Sequence, residues 1–210
     1  MIPRPKKMHL LRWLPKSVVL TTGPDRDDAI YLTFDDGPDP LHTPALLDLL
    51  RDHGARASFF LIGREAERYP ELVKRIVAEG HRLGNHSYSH PVFNGLPLSE
   101  QLAEIDRTDR VLAAFDGIRR HRFRPPRGAF SLALTLHFMW SRRNLTYWSY
   151  DSLDYQHKPA DELVNLLRAR APRAGDVLLM HDDNECSMRM LKTLLPEWRE
   201  NGFTFSALSA

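Results

Sequence analysis

Two carboxylates stand side by side, Asp35 and Asp36, directly after the apolar run Ala29-Ile30-Tyr31-Leu32-Thr33-Phe34. Adjacent carboxylates repel each other unless something positive sits between or beside them, and a metal ion answers that need. Residues that follow one another at a strand end point different ways, so one carboxylate can bind an ion while the other stays free. His86 and His90 lie four residues apart in Asn-His-Ser-Tyr-Ser-His. That spacing can place both imidazoles on one side of a helical turn or a tight loop. One Asp and two His make three protein ligands with a position open for water, the pattern of a catalytic rather than a structural zinc site. Three more polar groups stand out: Arg124-Pro-Pro-Arg127-Gly, Asp151 with Asp154, and His181-Asp182 after an apolar run. Singly, each has a plain alternative. Asp-Asp-Gly-Pro forms turns, His-x-x-x-His occurs without metal, His181 could be a core histidine, and Arg124 a surface charge. Their joint placement carries the chemical reading.

The elements that must position these residues alternate between short apolar runs and amphipathic stretches. Strands are expected at 29–34, 57–62, 81–84, 121–124, 145–150, 176–180 and 203–205. Helices are expected at 44–53, 70–79, 99–115, 132–142, 161–169 and 188–200, with Ser99 as an N-cap and glycines 54, 80 and 202 as terminators. About seven strands, most followed by a helix, argue for an α/β fold with a mostly parallel sheet. At this length a single-domain, distorted (β/α) barrel is favoured over an open sheet or two domains. The polar groups follow the first, third, fourth, fifth and sixth of these strands, and in parallel α/β folds those strand ends converge on one face. No glycine-rich phosphate loop follows a strand, and no Gly-x-Ser-x-Gly elbow is present.

At this point five segments, taken in order, resemble the motifs of the polysaccharide deacetylases, the NodB-homology family. They are Thr33-Phe-Asp-Asp-Gly-Pro38, His86-Ser-Tyr-Ser-His90, Arg124-Pro-Pro-Arg-Gly128, Asp151-Ser-Leu-Asp-Tyr155 and Leu179-Met-His181. The likeness runs from about Ala29 to the C-terminus. It implies a distorted (β/α) barrel and a divalent metal, zinc first, held by Asp36, His86 and His90. It implies Asp35 as catalytic base, Arg124 as the group holding that base, His181 as general acid and Asp154 as the carboxylate that tunes it. Leu179 matches the lining of the acetyl pocket, and the backbone N–H of Arg127 matches part of an oxyanion hole. Tyr155 stands where the family usually has tryptophan, and Arg127 where it often has an aromatic residue; both positions bear on which sugar is taken.

The implied activity is N-deacetylation of an N-acetylhexosamine in a glycan or glycan precursor. Three rivals are weighed. A non-haem iron oxygenase shares two His and one carboxylate, but needs neither a second Asp nor a separate His acid. A catalytically idle, metal-dependent carbohydrate-binding protein would have lost Asp35 or His181. A related amide hydrolase on a formyl-amino sugar or a cyclic imide keeps the same residues.

Composition bounds the partners. The chain has 210 residues, 42% hydrophobic and 27% charged, as expected of a globular domain. A net charge of +2 is too mild to argue for nucleic acid. The one cysteine, Cys186, excludes an intrachain disulfide and a multi-cysteine zinc site. Residues 1–28 read as an N-terminal arm before a 29–210 domain. Lys6, Lys7, Leu10 and Leu11 hint at a signal peptide, but Arg12, Pro15 and Lys16 interrupt it. The expectation is a cytoplasmic protein without an integral membrane segment. The arm is read chiefly as packing, with peripheral membrane contact through Trp13 and Leu14 as the second reading.

Overall fold

In the computed structural model, residues 14–16, 18–23, 28–129, 131–156 and 158–209 are described. The order is β1 (Val19–Leu20), β2 (Ala29–Asp35), α1 (Thr43–Asp52), β3 (Ala57–Leu61), α2 (Gly63–Arg68), α3 (Pro70–Ala78) and β4 (Arg82–Asn85). There follow α4 (Leu98–Asp116), α5 (Leu132–Ser141), β5 (Leu145–Thr146), β6 (Tyr150–Asp151), α6 (Ala160–Ala169), β7 (Val177–His181), α7 (Glu185–Glu200) and β8 (Thr204–Phe205).

β2 is central because every one of its residues is buried, so both of its faces must be covered. It pairs in parallel with β3 and β7, and its foot with β8. The sheet runs β4-β3-β2-β7-β6. Phe123 bridges β4 to β5, β5 pairs with β1, and Thr22 bridges to Asp176 beside β7. These contacts carry the sheet round into the distorted barrel.

The strand pleat sorts the core into two parts. Ile30, Leu32 and Phe34 face outward with Phe59, Leu61, Leu178 and Met180, under Leu46, Leu47 and Leu50 of α1 and Leu191, Leu194 and Leu195 of α7. Each of those leucines contributes roughly 1.5–3 kcal/mol by leaving water. Ala29 and Tyr31 face inward with Phe60, Phe123, Val177 and Leu179. By the same alternation Thr33 and Asp35 lie on the inner side at the top of β2.

Several expectations are corrected. α4 begins at Leu98 with Pro97 before it and no side-chain cap, so Ser99 lies inside the first turn. The strand expected at 121–124 is reduced to bridges at Phe123. The strand at 145–150 splits into β5 and β6, because Tyr147 and Trp148 turn inward and stack on each other. α2 was not expected; its six residues are too few for an apolar period to show. β1 lies inside the segment read as an arm. Residues 1–13, including Trp13, lie outside the described residues, while Leu14 is partly buried against the inner core rather than facing out. No described helix is long and apolar enough to cross a membrane.

Candidate active site

The register of the central strands sets the first relation. Asp35 at the end of β2 is level with His181 at the end of β7, and with Phe60 on β3 on its other side. Asp35 is buried, and Arg124 Nη1 donates to its Oδ1 at 2.7 Å. Arg124 has no exposed surface; it also donates to Thr33 Oγ1 at 2.8 Å and stacks its guanidinium 4.1 Å over the Phe60 ring. A buried arginine is tolerable only when so occupied, and the surface-charge reading of Arg124 fails.

Asp36 turns away from Asp35 with φ of 75°. The next residue must be glycine: a Cβ on Gly37 would sit 2.2 Å from the Asp182 carboxylate. His86 and His90 lie on a loop, not a helical turn, with positive φ at Ser87 and His90. That loop is held by groups the sequence reading did not single out. Glu104 on α4 accepts from the N–H of Tyr88 and Ser89 at 2.9 and 2.8 Å. Asn85 accepts from Ser87 N–H at 2.9 Å, and Ser87 Oγ accepts from His90 N–H at 3.1 Å.

His86 Nδ1 lies 2.7 Å from the Arg124 carbonyl, which can only accept, so Nδ1 carries the proton and Nε2 is left facing inward. The Nε2 atoms of His86 and His90 lie 3.4 and 3.2 Å from Asp36 Oδ1. That oxygen is buried and makes no hydrogen bond. Burial alone would raise the Asp36 pKa; the two imidazoles outweigh it and hold the carboxyl below its ordinary range. Ligand atoms about 2.0–2.1 Å from a tetrahedral ion lie roughly 3.4 Å apart. The three donors therefore fit a divalent metal, and their ligand atoms lie within 4.8 Å of one another.

Across the cavity, His181 Nδ1 meets Asp154 Oδ1 at 2.9 Å, and its backbone N–H donates to Asp154 Oδ2 at 2.7 Å. Ser152 donates to Asp154 Oδ1 at 2.9 Å, and Ser187 Oγ donates to its Oδ2. Burial would lower the His181 pKa, but Asp154, helped by Asp35 and Asp36, pushes it up to about 10. Tyr155 stands edge-on to the His181 ring at 5.6 Å and donates to Asp151 at 3.3 Å. Trp148, also unforeseen, donates to the same carboxylate at 3.3 Å.

One cavity of about 370 Å³ is lined by Asp35, Asp36, His86, His90, Arg127, Tyr155, Leu179 and His181, with Gly128 and Trp148. Arg124 and Asp154 are buried behind it, so all ten expected residues meet at one place. Arg127 has φ of 56°. Five of the six non-glycine residues with positive φ among the described residues lie in these segments: Asp36, Ser87, His90, Arg127 and Leu153. Such backbone costs about 1–3 kcal/mol per residue and concentrates where a site must be aimed. A second, more open cavity of about 490 Å³ shares Asp36 and His90 and is walled by Arg64, Arg68 and Tyr69.

The polysaccharide deacetylase family model matches residues 22–137. The chain belongs to the polysaccharide deacetylase family. A peptidoglycan-N-acetylglucosamine deacetylase of Bacillus cereus is 34% identical, with 93% of each chain covered. A chitooligosaccharide deacetylase of Sinorhizobium fredii is 31% identical over 97% of this chain and 98% of its own. Among solved structures, a peptidoglycan N-acetylglucosamine deacetylase in complex with 4-naphthalen-1-yl-N-oxidanyl-benzamide has a TM-score of 0.87 at 33% identity, covering 94% of both chains. The chain thus shares its fold with a solved peptidoglycan N-acetylglucosamine deacetylase. The Asp182-Asp183-Asn184 run that follows His181 divides its roles. Asp182 is buried and accepts from Thr43 Oγ1 at 2.6 Å, while Asn184 caps α7 by accepting from Cys186 N–H.

Proposed function

We propose that this chain is a metal-dependent N-deacetylase acting on an N-acetylhexosamine within an oligosaccharide or polysaccharide. The observation that carries the reading is the facing pair in register: a carboxylate held by a buried arginine, opposite a histidine held by a buried carboxylate, with the three-donor cluster beside them. Zinc is the first choice for Asp36, His86 and His90, whose donor set suits several divalent ions.

The chemistry a divalent cation supplies at this position is polarisation of the amide carbonyl and acidification of a water. Asp35, fixed by Arg124, is placed to take a proton from a water attacking the acetamide carbon. His181 is oriented through Nδ1 by Asp154, so its Nε2 delivers a proton to the departing amine nitrogen. Acetate and the free amino sugar leave. The backbone N–H of Arg127 is assigned to the developing oxyanion. Leu179 and Trp148 supply an apolar wall suited to a methyl group, which favours acetyl over formyl. The adjoining cavity across Asp36 and His90 leaves room for neighbouring sugar units, which favours a chain over a single sugar.

The test is acetate release from chitooligosaccharides by metal-stripped protein and by the same protein reloaded with zinc. Acetate that appears only after reloading supports the reaction. Tight stoichiometric zinc binding with no acetate would overturn it, in favour of another amide or a binding role.

A further inference from the structure

α5 presents an unusual pair of faces. Leu134, Thr135 and Phe138 are buried in the inner core. Leu132, Leu136, Met139 and Trp140 fall at i, i+4, i+7 and i+8, which places them together on the opposite side. They are exposed, Leu132 by 74% and Trp140 by 84%. A helix apolar on both sides is expected inside a core or against lipid. At ten residues it is about 15 Å long, too short to span a bilayer.

We propose that the outer face of α5 docks on an anionic lipid surface, with the cavity mouth held beside that surface. Three observations select this occupant. First, exposed arginines gather at the C-terminal end of the helix. Arg142 caps it, Arg120 donates to the Ser141 carbonyl at 3.3 Å, and Arg119 is its neighbour. Of the acids there, Asp116 is engaged by His121, and Asp106 is paired with Arg143. Leucine, methionine and tryptophan on one face with arginine at the margin is the make-up of a helix lying in a membrane interface. Second, a polysaccharide would stack on aromatic rings, whereas three of the four exposed side chains are aliphatic. Third, a second copy would need about 800 Å² per partner. One short helix does not supply that area. The helix starts five residues after Arg127, which lines the cavity, so a surface under α5 lies next to the route of substrate entry.

The experiment is flotation of the full chain with vesicles of phosphatidylcholine, with and without about one-third phosphatidylglycerol. The wild type is compared with Leu136→Glu, Trp140→Glu and the triple change of Arg119, Arg120 and Arg142 to Ser. Binding to the anionic vesicles is expected, with a blue-shifted tryptophan emission that Trp140→Glu diminishes. Each apolar-to-Glu change should weaken binding by at least about tenfold, and the arginine triple roughly a hundredfold. Deacetylation of soluble chitooligosaccharide should be unchanged in Leu136→Glu, so a failure here and a failure of the proposed reaction are read separately. Equal binding by wild type and Leu136→Glu, or no anionic binding at all, would overturn the proposal. So would light scattering that shows a dimer dissolved by Trp140→Glu, which would assign the face to a second copy.

Discussion

Two clusters in this barrel use the same residue types to opposite ends. One is Asp36, His86 and His90 at the mouth, backed by Asp35 and Arg124. The other lies behind the histidine loop, where Asp109 meets His121 and Arg143, and His121 in turn meets Asp116. Asp109 Oδ1 accepts from Asn85 at 2.8 Å and from the His121 backbone at 3.2 Å, and Arg143 donates to Oδ2 at 2.5 Å. His121 places Nδ1 at 3.2 Å from Asp109 and Nε2 at 3.2 Å from Asp116. Both carboxylate oxygens and both ring nitrogens are engaged. At the mouth, Asp36 Oδ1 and two Nε2 atoms converge with no hydrogen bond among them. The lesson is that composition does not distinguish a reactive cluster from a structural one; leftover bonding capacity does. The two are also joined: Asn85 donates to Asp109 and accepts from Ser87 in the histidine loop, so the saturated cluster serves as footing for the unsaturated one.

The sharpest way to break this contrast is Asp35→Asn. Turnover should fall about 10²–10⁴-fold, while zinc stoichiometry by calorimetry stays that of the wild type. An active, metal-loaded Asn variant would remove the assigned base. Next is Asp109→Ala, which strands buried Arg143 and His121. Stability in urea at pH 7 should drop by about 3–5 kcal/mol; a loss under 1 kcal/mol would mean the Asp109 cluster is not the support described.

Asp154→Asn tests the acid side. In the wild type His181 keeps its proton up to about 10, chiefly because Asp154 outweighs burial. Activity that needs the proton is lost as pH rises through that value. Removing the Asp154 charge removes the main upward cause, so the alkaline limb of the rate profile should move to lower pH. An unmoved limb would detach Asp154 from the acid.

The smallest effect is expected from Asp182→Asn. Burial raises the Asp182 pKa from 3.8 to about 7. The folded state then holds a proton that the unfolded chain releases, so stability is full at low pH and declines as pH rises from about 4 to about 7. The Asn variant should therefore gain on the wild type at pH 8 and gain nothing at pH 4. Equal thermal shifts at the two pH values would refute a buried titrating carboxylate.

Much of this was legible in the chain. The runs at Ala29–Asp35 and Val177–His181 are apolar enough that only a central strand suits them, and both end on the residues of interest. Glycines 54 and 80 end their helices at positive φ as expected. Glu104, Asn85 and Trp148 were not legible, because each acts through a partner distant in sequence and none has a local signature. Ser99 misled for a related reason: a cap depends on where the backbone enters the helix, and the N-cap position falls on Pro97, two residues earlier.

By itself, then, the sequence determined the residue types, their order on strand ends and the alternation that makes a parallel barrel, because periodicity and turn chemistry are local. Only the tertiary structure decided which carboxylate faces the imidazoles, which arginine is buried, and which Asp–His cluster is left with bonding capacity to spare. Those outcomes depend on strand register, left-handed backbone at Asp36, Ser87 and His90, and burial by distant segments. They follow from contacts across the whole chain, which no short window contains.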